Sequence, residues 1–418
     1  MNENNENNEN NIMNETNNGF DGDEIIAPNN EAINDIKVED SSFTKWDEAN
    51  LKESVLRGIY SVGFEDPSPI QKRSIIPMVN GNDVIAQAQS GTGKTGAFSI
   101  GTLSLVDVSV NKTQAVILSP TRELSIQTFS VLKNLSTFMD GLKIKLLVGG
   151  VSSEDDQKEI RSGTPHIVVG CPGRTYDMMR RNHIQSKSIK LIVLDEADEM
   201  LSTGFKEQVY NIFQFLNKDV QVCLFSATLP NEINMLTEKF MRDPIRILVK
   251  SEMLTLEGIS QYYIALEDDQ SKYSTLKDIF STISMSQCII YCNSIKRVED
   301  LYNAMAEDNF PVSRIHGSME REDRTKSYME FKSGVSRVLI SSNVTARGID
   351  VQQVSTVINF DLSRDVHTYL HRIGRSGRWG RKGVGINFIT KRDIKNLKDI
   401  EQHYNTQIEE LPASYIQS

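Results

Sequence analysis

Short apolar runs alternate with amphipathic stretches along most of this chain, and that alternation restricts the fold more than any other feature. Val84-Ile85, Val116-Ile117-Leu118, Ile144 to Val148, Ile167-Val168-Val169, Leu191 to Leu194, Val222 to Phe225 and Ile245 to Val249 have strand length and are apolar but for Lys145, Cys223 and Arg246. Segments of helical period, such as Arg122 to Phe138 and Phe205 to Leu216, lie between them. Strands apolar on both sides and spaced by helices build a parallel sheet covered on both faces. The pattern restarts with Ile259 to Leu266, Cys288 to Cys292, Val312 to Ile315, Val338 to Ile340, Val357 to Phe360 and Gly385 to Ile389, spaced by Val298 to Ala306 and Glu320 to Phe331. The expected fold class is α/β, with two doubly wound parallel-sheet domains over residues 42–249 and 259–418. The polar stretch 250–258, ending in Gly258, is the expected linker. Leu51, Val55, Leu56, Ile59 and Tyr60 recur at helical spacing from Trp46 onward, whereas residues 1–41 are dominated by Asn, Glu and Asp and are expected to form a disordered tail.

Gln89-Ser90-Gly91-Thr92-Gly93-Lys94-Thr95 follows the first apolar run and precedes the helix-compatible Ala97 to Leu105. Glycines at 91 and 93 permit a tight strand-to-helix turn whose N–H groups face inward. Lys94 can then reach terminal phosphates and the Thr95 hydroxyl can ligand Mg²⁺. Ala88 stands where the strict pattern has its first glycine, and the plain alternative is a Gly-rich turn. Leu191 to Leu194 ends in Asp195-Glu196-Ala197-Asp198, and ligands of doubly wound sheets sit at the carboxyl ends of strands. Asp195 suits Mg²⁺, and Glu196 suits the water that attacks a terminal phosphate; the alternative is a solvated acidic strand end. Ser226 and Thr228 close the next strand, within reach of those carboxylates. Pro230 nearby makes capping of the following helix their ordinary reading. His371 to Lys382 is the densest cationic stretch, flanked by Tyr369-Leu370 and Val384 to Ile389 and hence embedded in the fold. Arg375 and Arg378 fit an arginine finger that reaches the γ-phosphate from the second domain.

A net charge of −10 excludes a protein that coats nucleic acid through bulk positive charge, so any such site is local. Pro120-Thr121-Arg122-Glu123, Gly149-Gly150 and Cys171-Pro172-Gly173-Arg174 each follow a strand of the first domain and offer N–H, hydroxyl or guanidinium groups along one sheet edge. Such groups suit phosphate and sugar and are indifferent to base sequence, and there is no aromatic ladder for stacking bases. The four cysteines form no CxxC pair and have no histidines at zinc spacing, which predicts reduced, buried thiols. No apolar run approaches transmembrane length, and the first residues lack the basic-then-apolar pattern of a signal peptide. The expectation is a soluble intracellular protein, nuclear or cytoplasmic.

Taken in order, AQSGTGKT, PTREL, GG, CPGR, DEAD, SAT, ARGID and HRIGRSGR make the chain resemble the DEAD-box RNA helicases from Trp46 to Pro412. FMRDPIRILVK, LTLEGI and GIDVQQVS resemble the initiation factor four-A branch, and DIEQHYNTQIEELP its exon-junction member. The resemblance implies RecA-like domains and an RNA-dependent, Mg²⁺-dependent ATPase that remodels RNA locally. It implies an adenine-reading motif at Gly63 to Gln71, with Gln71 on the adenine edge beside Phe64 and with Trp46 as the supporting aromatic; from its residue type alone, Trp46 is a core aromatic. Asp350 would hold the ribose. Asp198, Ser226 and Thr228 would couple hydrolysis to RNA, and Arg324, Arg347 and Gly348 would join Thr121, Arg122, Gly150 and Arg174 in gripping it. A monomer working with scaffold-type protein partners and without a membrane is the implied form.

Three departures fall on RNA-side or coupling positions: Cys171 where the family has Thr, Arg321 where it has Gln, and Ser341-Ser342-Asn343 where Thr-Thr-Asp is usual. Asn343 is expected to weaken interdomain polar contacts, and Arg321 to strengthen phosphate binding. Two other functions compete with the helicase: an ATP-gated RNA clamp that serves as an assembly platform, and a DNA translocase, because no residue by itself selects ribose.

Overall fold

The computed structural model describes residues 43–88, 91–150, 152–202, 204–248, 259–282, 287–343, 354–376 and 383–412. All of them lie in one compact unit, Asp40–Ser418. The predicted tail and the linker at 250–258 fall outside the described residues.

The first sheet contains β1 (Val84–Gln87), β2 (Ala115–Leu118), β3 (Ile144–Leu147), β4 (Ile167–Gly170), β5 (Leu191–Asp195), β6 (Gln221–Ser226) and β7 (Ile245–Leu248). All pairs are parallel, in the order β3-β4-β2-β5-β6-β1-β7. The second sheet contains β8 (Ile259–Ala265), β9 (Cys288–Tyr291), β10 (Val312–Ile315), β11 (Val338–Ser341), β12 (Thr356–Asn359), β13 (Gly383–Ile389) and β14 (Glu409–Glu410). It too is parallel, in the order β10-β11-β9-β12-β13-β8-β14. Matching β1 with β8 and β2 with β9, and so on along the chain, superimposes one order on the other.

The period of two explains why these runs are apolar throughout. Val84, Ala86, Ile117, Val169, Val193 and Phe225 enter the core on one face of the first sheet. Their chain neighbours Ile85, Val116, Leu118, Val168, Ile192 and Leu224 enter the core on the other. In the second sheet, Ile289, Leu339 and Val357 face one layer and Ile290, Ile340 and Ile358 the opposite one. Every strand run predicted from periodicity is a strand. Among the described strands only β14 escaped, because the polar pair Glu409-Glu410 carries no apolar signal.

The helix from Phe205 to Leu216 is observed as Lys206–Phe215, and that from Arg122 to Phe138 as Arg122–Leu135. The four cysteines are free. Burial pushes the Cys171 thiol up to about 11 and that of Cys292 to about 12, which leaves both protonated at neutral pH.

Candidate active site

The turn after β1 leads into the helix Lys94–Leu105, whose N-cap Gly93 has φ +98°, a conformation that L side chains rarely adopt. A Cβ there would lie 2.9 Å from both Gln71 Nε2 and Ser68 Oγ, and one at Gly96 would lie 2.7 Å from Gln71 Nε2. These glycines therefore let the helix Pro69–Val79 bring Gln71 against the phosphate-loop turn. Gln71 Nε2 donates to the Gly93 carbonyl at 3.3 Å, and its Oε1 accepts from Ser68 N–H at 2.7 Å, the Gln half of a capping box. Phe64 stands beside Gly96 and stacks on Trp46 with centroids 6.5 Å apart. Trp46 is buried in the core, so the core-aromatic reading holds, and it also backs the Phe64 ring. Gly91, Thr92 and Thr95 lie on the turn and first helical residues, whereas Gln89 and Ser90 lie outside the described residues.

Lys94 is 5% exposed, and its Nζ lies 3.6 Å from Glu196 Oε1. Neither Lys94 Nζ nor Glu196 Oε2 has a hydrogen-bond partner among the described residues, although both are buried. A buried ammonium at a phosphate-loop turn beside a carboxylate with one unpartnered oxygen fits an anionic ligand and an attacking water. Thr95 and Asp195 offer hard oxygen donors of the kind Mg²⁺ prefers. Glu196 has φ +53°, a left-handed conformation that costs a non-glycine residue about 1–3 kcal/mol and that recurs at functional sites. Burial raises the Asp195 carboxyl, reinforced by the Glu196 charge beside it. Burial also works to raise Glu196, but Lys94 and then His371 hold it below the ordinary carboxylate value, so the candidate base stays ionised.

Asp198 is the meeting point of the two domains. Thr228 Oγ1 donates to its Oδ2 at 2.6 Å, Ser226 Oγ accepts from its N–H at 3.4 Å, and His371 Nε2 of the second domain lies 3.0 Å from the same Oδ2. The carboxylates of Glu196 and Asp198 and the His371 ring present ligand atoms within 4.8 Å of one another, all buried. Asp198 Oδ2 is already engaged by a hydroxyl and an imidazole, so this group forms a hydrogen-bond junction across the seam. The capping reading of Ser226 and Thr228 is overturned. The next helix, Asn231–Phe240, has Pro230 as its N-cap, and the hydroxyls turn to the carboxylate strand end instead. Arg375 Nε donates to the His371 carbonyl, and its charge lowers Glu196. Arg378 and Asp350 lie outside the described residues, as do Arg347 and Gly348.

The backbone-tracking groups follow β2, β3 and β4, which are adjacent in the sheet as the edge reading requires. Several are occupied. Thr121 caps the helix Arg122–Leu135 by accepting from Leu124 N–H. Arg174 Nη1 bonds Asp156 at 2.5 Å. Arg324 reaches the first domain and bonds Glu123 at 2.6 Å, and Arg321 donates to the Gly150 carbonyl at 2.9 Å. Arg122 lies 3.4 Å from the Gly149 carbonyl; burial and the neighbouring Arg321 push its guanidinium down. Asn343 Oδ1 accepts from Arg372 Nε at 2.9 Å, a contact within the second domain. Asp156, Glu123 and His371 were not assigned by sequence reasoning. Only His371 carried a signal, as the head of the cationic stretch.

The DEAD/DEAH box helicase family matches residues 68–236, and the helicase conserved C-terminal domain matches 271–380. An ATP-dependent RNA helicase eIF4A of Kluyveromyces lactis is 50% identical over 375 residues, covering 90% of this chain and 94% of that protein. The chain belongs to the DEAD-box ATP-dependent RNA helicases. Within them it falls in the eIF4A-like branch: the Eukaryotic initiation factor 4A-III homolog B of Oryza sativa subsp. japonica is 50% identical over 372 residues, with 89% and 92% of the two chains covered. Its two domains are RecA-like. Saccharomyces cerevisiae Dbp5 bound to RNA and ADP BeF3 superimposes with a TM-score of 0.83 at 34% identity, over 88% of this chain and 95% of that one. Dbp5 bound to Nup159, Gle1, IP6 and ADP gives 0.62 at 33% identity, over 88% and 97%. No helix among the described residues of this helicase is long and apolar enough to cross a membrane.

Proposed function

We propose that this helicase hydrolyses ATP when its two RecA-like domains close on ATP and on the RNA backbone, and that closure bends and locally opens the RNA. The observation that carries this reading is the junction at Asp198, where His371 of the second domain meets the acidic strand end that holds Glu196. The arrangement here is more like the Dbp5 form with RNA and ADP BeF3 than the form with Nup159, Gle1, IP6 and ADP, at nearly equal identity, which favours a closed state. In this reading Gln71, Phe64 and Trp46 form the adenine side, and Gln89 to Thr95 cradle the phosphates. Lys94 offsets the terminal charge, Glu196 orients the attacking water, and Arg375 and Arg378 neutralise the departing phosphate. Asp350 holds the ribose. Thr95 and Asp195 would hold Mg²⁺, which supplies further charge neutralisation at the phosphates. RNA runs along Thr121, Arg122, Gly150, Arg174, Arg324, Arg347 and Gly348, contacted through phosphate and sugar and without base preference. We infer a monomer that works with protein partners, and the relatives' names as initiation factors support a role in translation initiation or mRNA processing.

The clamp reading has its own support. Arg321 and Arg324 fasten the second domain directly to Gly150 and Glu123, so the seam is held at several points beyond Asp198. RNA release from the purified chain decides between the two. Labelled single-stranded RNA that dissociates rapidly once ATP replaces a non-hydrolysable analogue supports the helicase. RNA retained through many ATP turnovers makes the protein a clamp.

A further inference from the structure

Arg372 takes no part in the proposed chemistry, yet its side chain is fully buried. Its Nε donates to Asn343 Oδ1 at 2.9 Å, and its Nη2 donates to the same oxygen at 2.5 Å and to Asn293 Oδ1 at 2.7 Å. Its Nη1 donates to Asn359 Oδ1 at 3.1 Å and to the Asp361 carbonyl at 2.8 Å. The guanidinium lies 5.1 Å above the Tyr291 ring. Each acceptor is neutral. The carboxylate of Asp361 is engaged elsewhere, by Lys272 Nζ at 3.0 Å, Arg297 Nε at 2.8 Å and Asn293 N–H at 3.0 Å.

These acceptors sit at the ends of three neighbouring strands. Asn343 follows β11, Asn293 follows β9, and Asn359 ends β12, in the sheet order β11-β9-β12. One planar group therefore ties three strand ends to the helix Val366–Ile373, which carries it. The residue before it is His371, whose Nε2 meets Asp198 across the seam, and Arg375 one turn on donates back to the His371 carbonyl. A helix carrying an interdomain contact at its C-terminal end is thus anchored to its own sheet through the adjacent side chain. Lys cannot substitute, because a point ammonium lacks the fork of donors that reaches three strands at once.

We propose that Arg372 is a positioning residue for ATP hydrolysis, holding the helix Val366–Ile373 on the ends of β9, β11 and β12 so that His371 reaches Asp198, with Asn343 as its principal acceptor. This rests on the coupled-ATPase reading.

The test is a double-mutant cycle in the full chain, using Asn343→Ala and His371→Ala and reading kcat with saturating ATP and RNA. Loss of a hydrogen bond to a charged group predicts that Asn343→Ala lowers RNA-stimulated kcat about 10-fold with little change in the KM for ATP. The double variant should be no slower than His371→Ala alone, and Asn343→Asp, which keeps an acceptor oxygen, should restore turnover. Multiplying effects, an unchanged kcat in Asn343→Ala, or a loss that only tracks the melting of the variant would overturn the proposal. If the wild-type chain shows no RNA stimulation, the coupled-ATPase reading fails by itself. Amide exchange across 366–373 then tests the clasp: protection falls in Asn343→Ala if the clasp holds the helix, and unchanged protection refutes it.

Discussion

Replacing His371 with alanine removes the contact by which the second domain touches Asp198. Both side chains are nearly inaccessible, at 1% and 3% exposure, so solvent screens their interaction little. A hydrogen bond to an ionised group contributes about 1.5–3 kcal/mol, which is about 10- to 100-fold in an equilibrium. Asp198 keeps its bond from Thr228, a first-domain residue, so the loss falls on closure and leaves the local fold intact. The assay is fluorescence anisotropy of a short labelled RNA with and without a non-hydrolysable ATP analogue. Wild-type RNA affinity should rise strongly with the analogue, and His371→Ala should lose about 10- to 100-fold of the analogue-dependent affinity while its affinity without nucleotide is unchanged. His371→Gln, which can still donate, should recover part of the loss. An analogue-dependent affinity within twofold of wild type would show that the Asp198 junction does not stabilise the closed state.

Two further predictions concern the scaffold. Alanine in a helix interior usually gains about 0.5–1 kcal/mol over glycine. In Gly58→Ala the sign should reverse, because the new Cβ would lie 1.8 Å from the Leu135 carbonyl oxygen and the helix Glu53–Ser61 would have to move. A loss of about 1–3 kcal/mol in unfolding free energy, read as a lower urea midpoint, is expected, and an equal or higher midpoint would refute the close approach. His166 is 2% exposed, and its Nδ1 accepts from Lys143 N–H at 3.0 Å, which requires an unprotonated nitrogen. Burial and then the Lys143 charge lower its pKa, so the unfolded chain binds the proton more tightly. Its contribution to stability is therefore complete above the unfolded value, about 6.5, and is lost as pH falls below it. Denaturation between pH 7.5 and 5 should show a shallower decline in His166→Gln; parallel curves would exclude His166 from that dependence.

The two sheets were legible because strands buried on both faces must be apolar throughout, and runs such as Ile167-Val168-Val169 admit no other reading once helices flank them. The phosphate loop and the Asp195-Glu196 strand end were legible for a related reason: turn glycines and strand-end carboxylates are local features. What depends on tertiary pairing was not. Thr228 was placed within reach of the strand-end carboxylates, with helix capping as the ordinary alternative because Pro230 follows it; the juxtaposition of β5 and β6 decides for Asp198. The residue types of Arg174 and Arg324 marked them as RNA-facing cations but did not reveal the carboxylates, 18 and 201 residues away in the chain, that also engage them. Asn343 was read as a residue of interdomain contacts, but its partner Arg372, on the helix Val366–Ile373, belongs to the same domain. Residue type predicted which groups bind charge; only the fold decides which charge they meet.

Steady-state ATP hydrolysis by the purified chain, with and without single-stranded RNA and alongside Glu196→Gln, tests the central claim most directly. Strong stimulation by RNA that Glu196→Gln abolishes, with binding of the RNA and a non-hydrolysable ATP analogue preserved, is the predicted result. Turnover that ignores RNA, or that survives Glu196→Gln, would contradict an ATPase whose base is set at the Asp198 junction between the two domains.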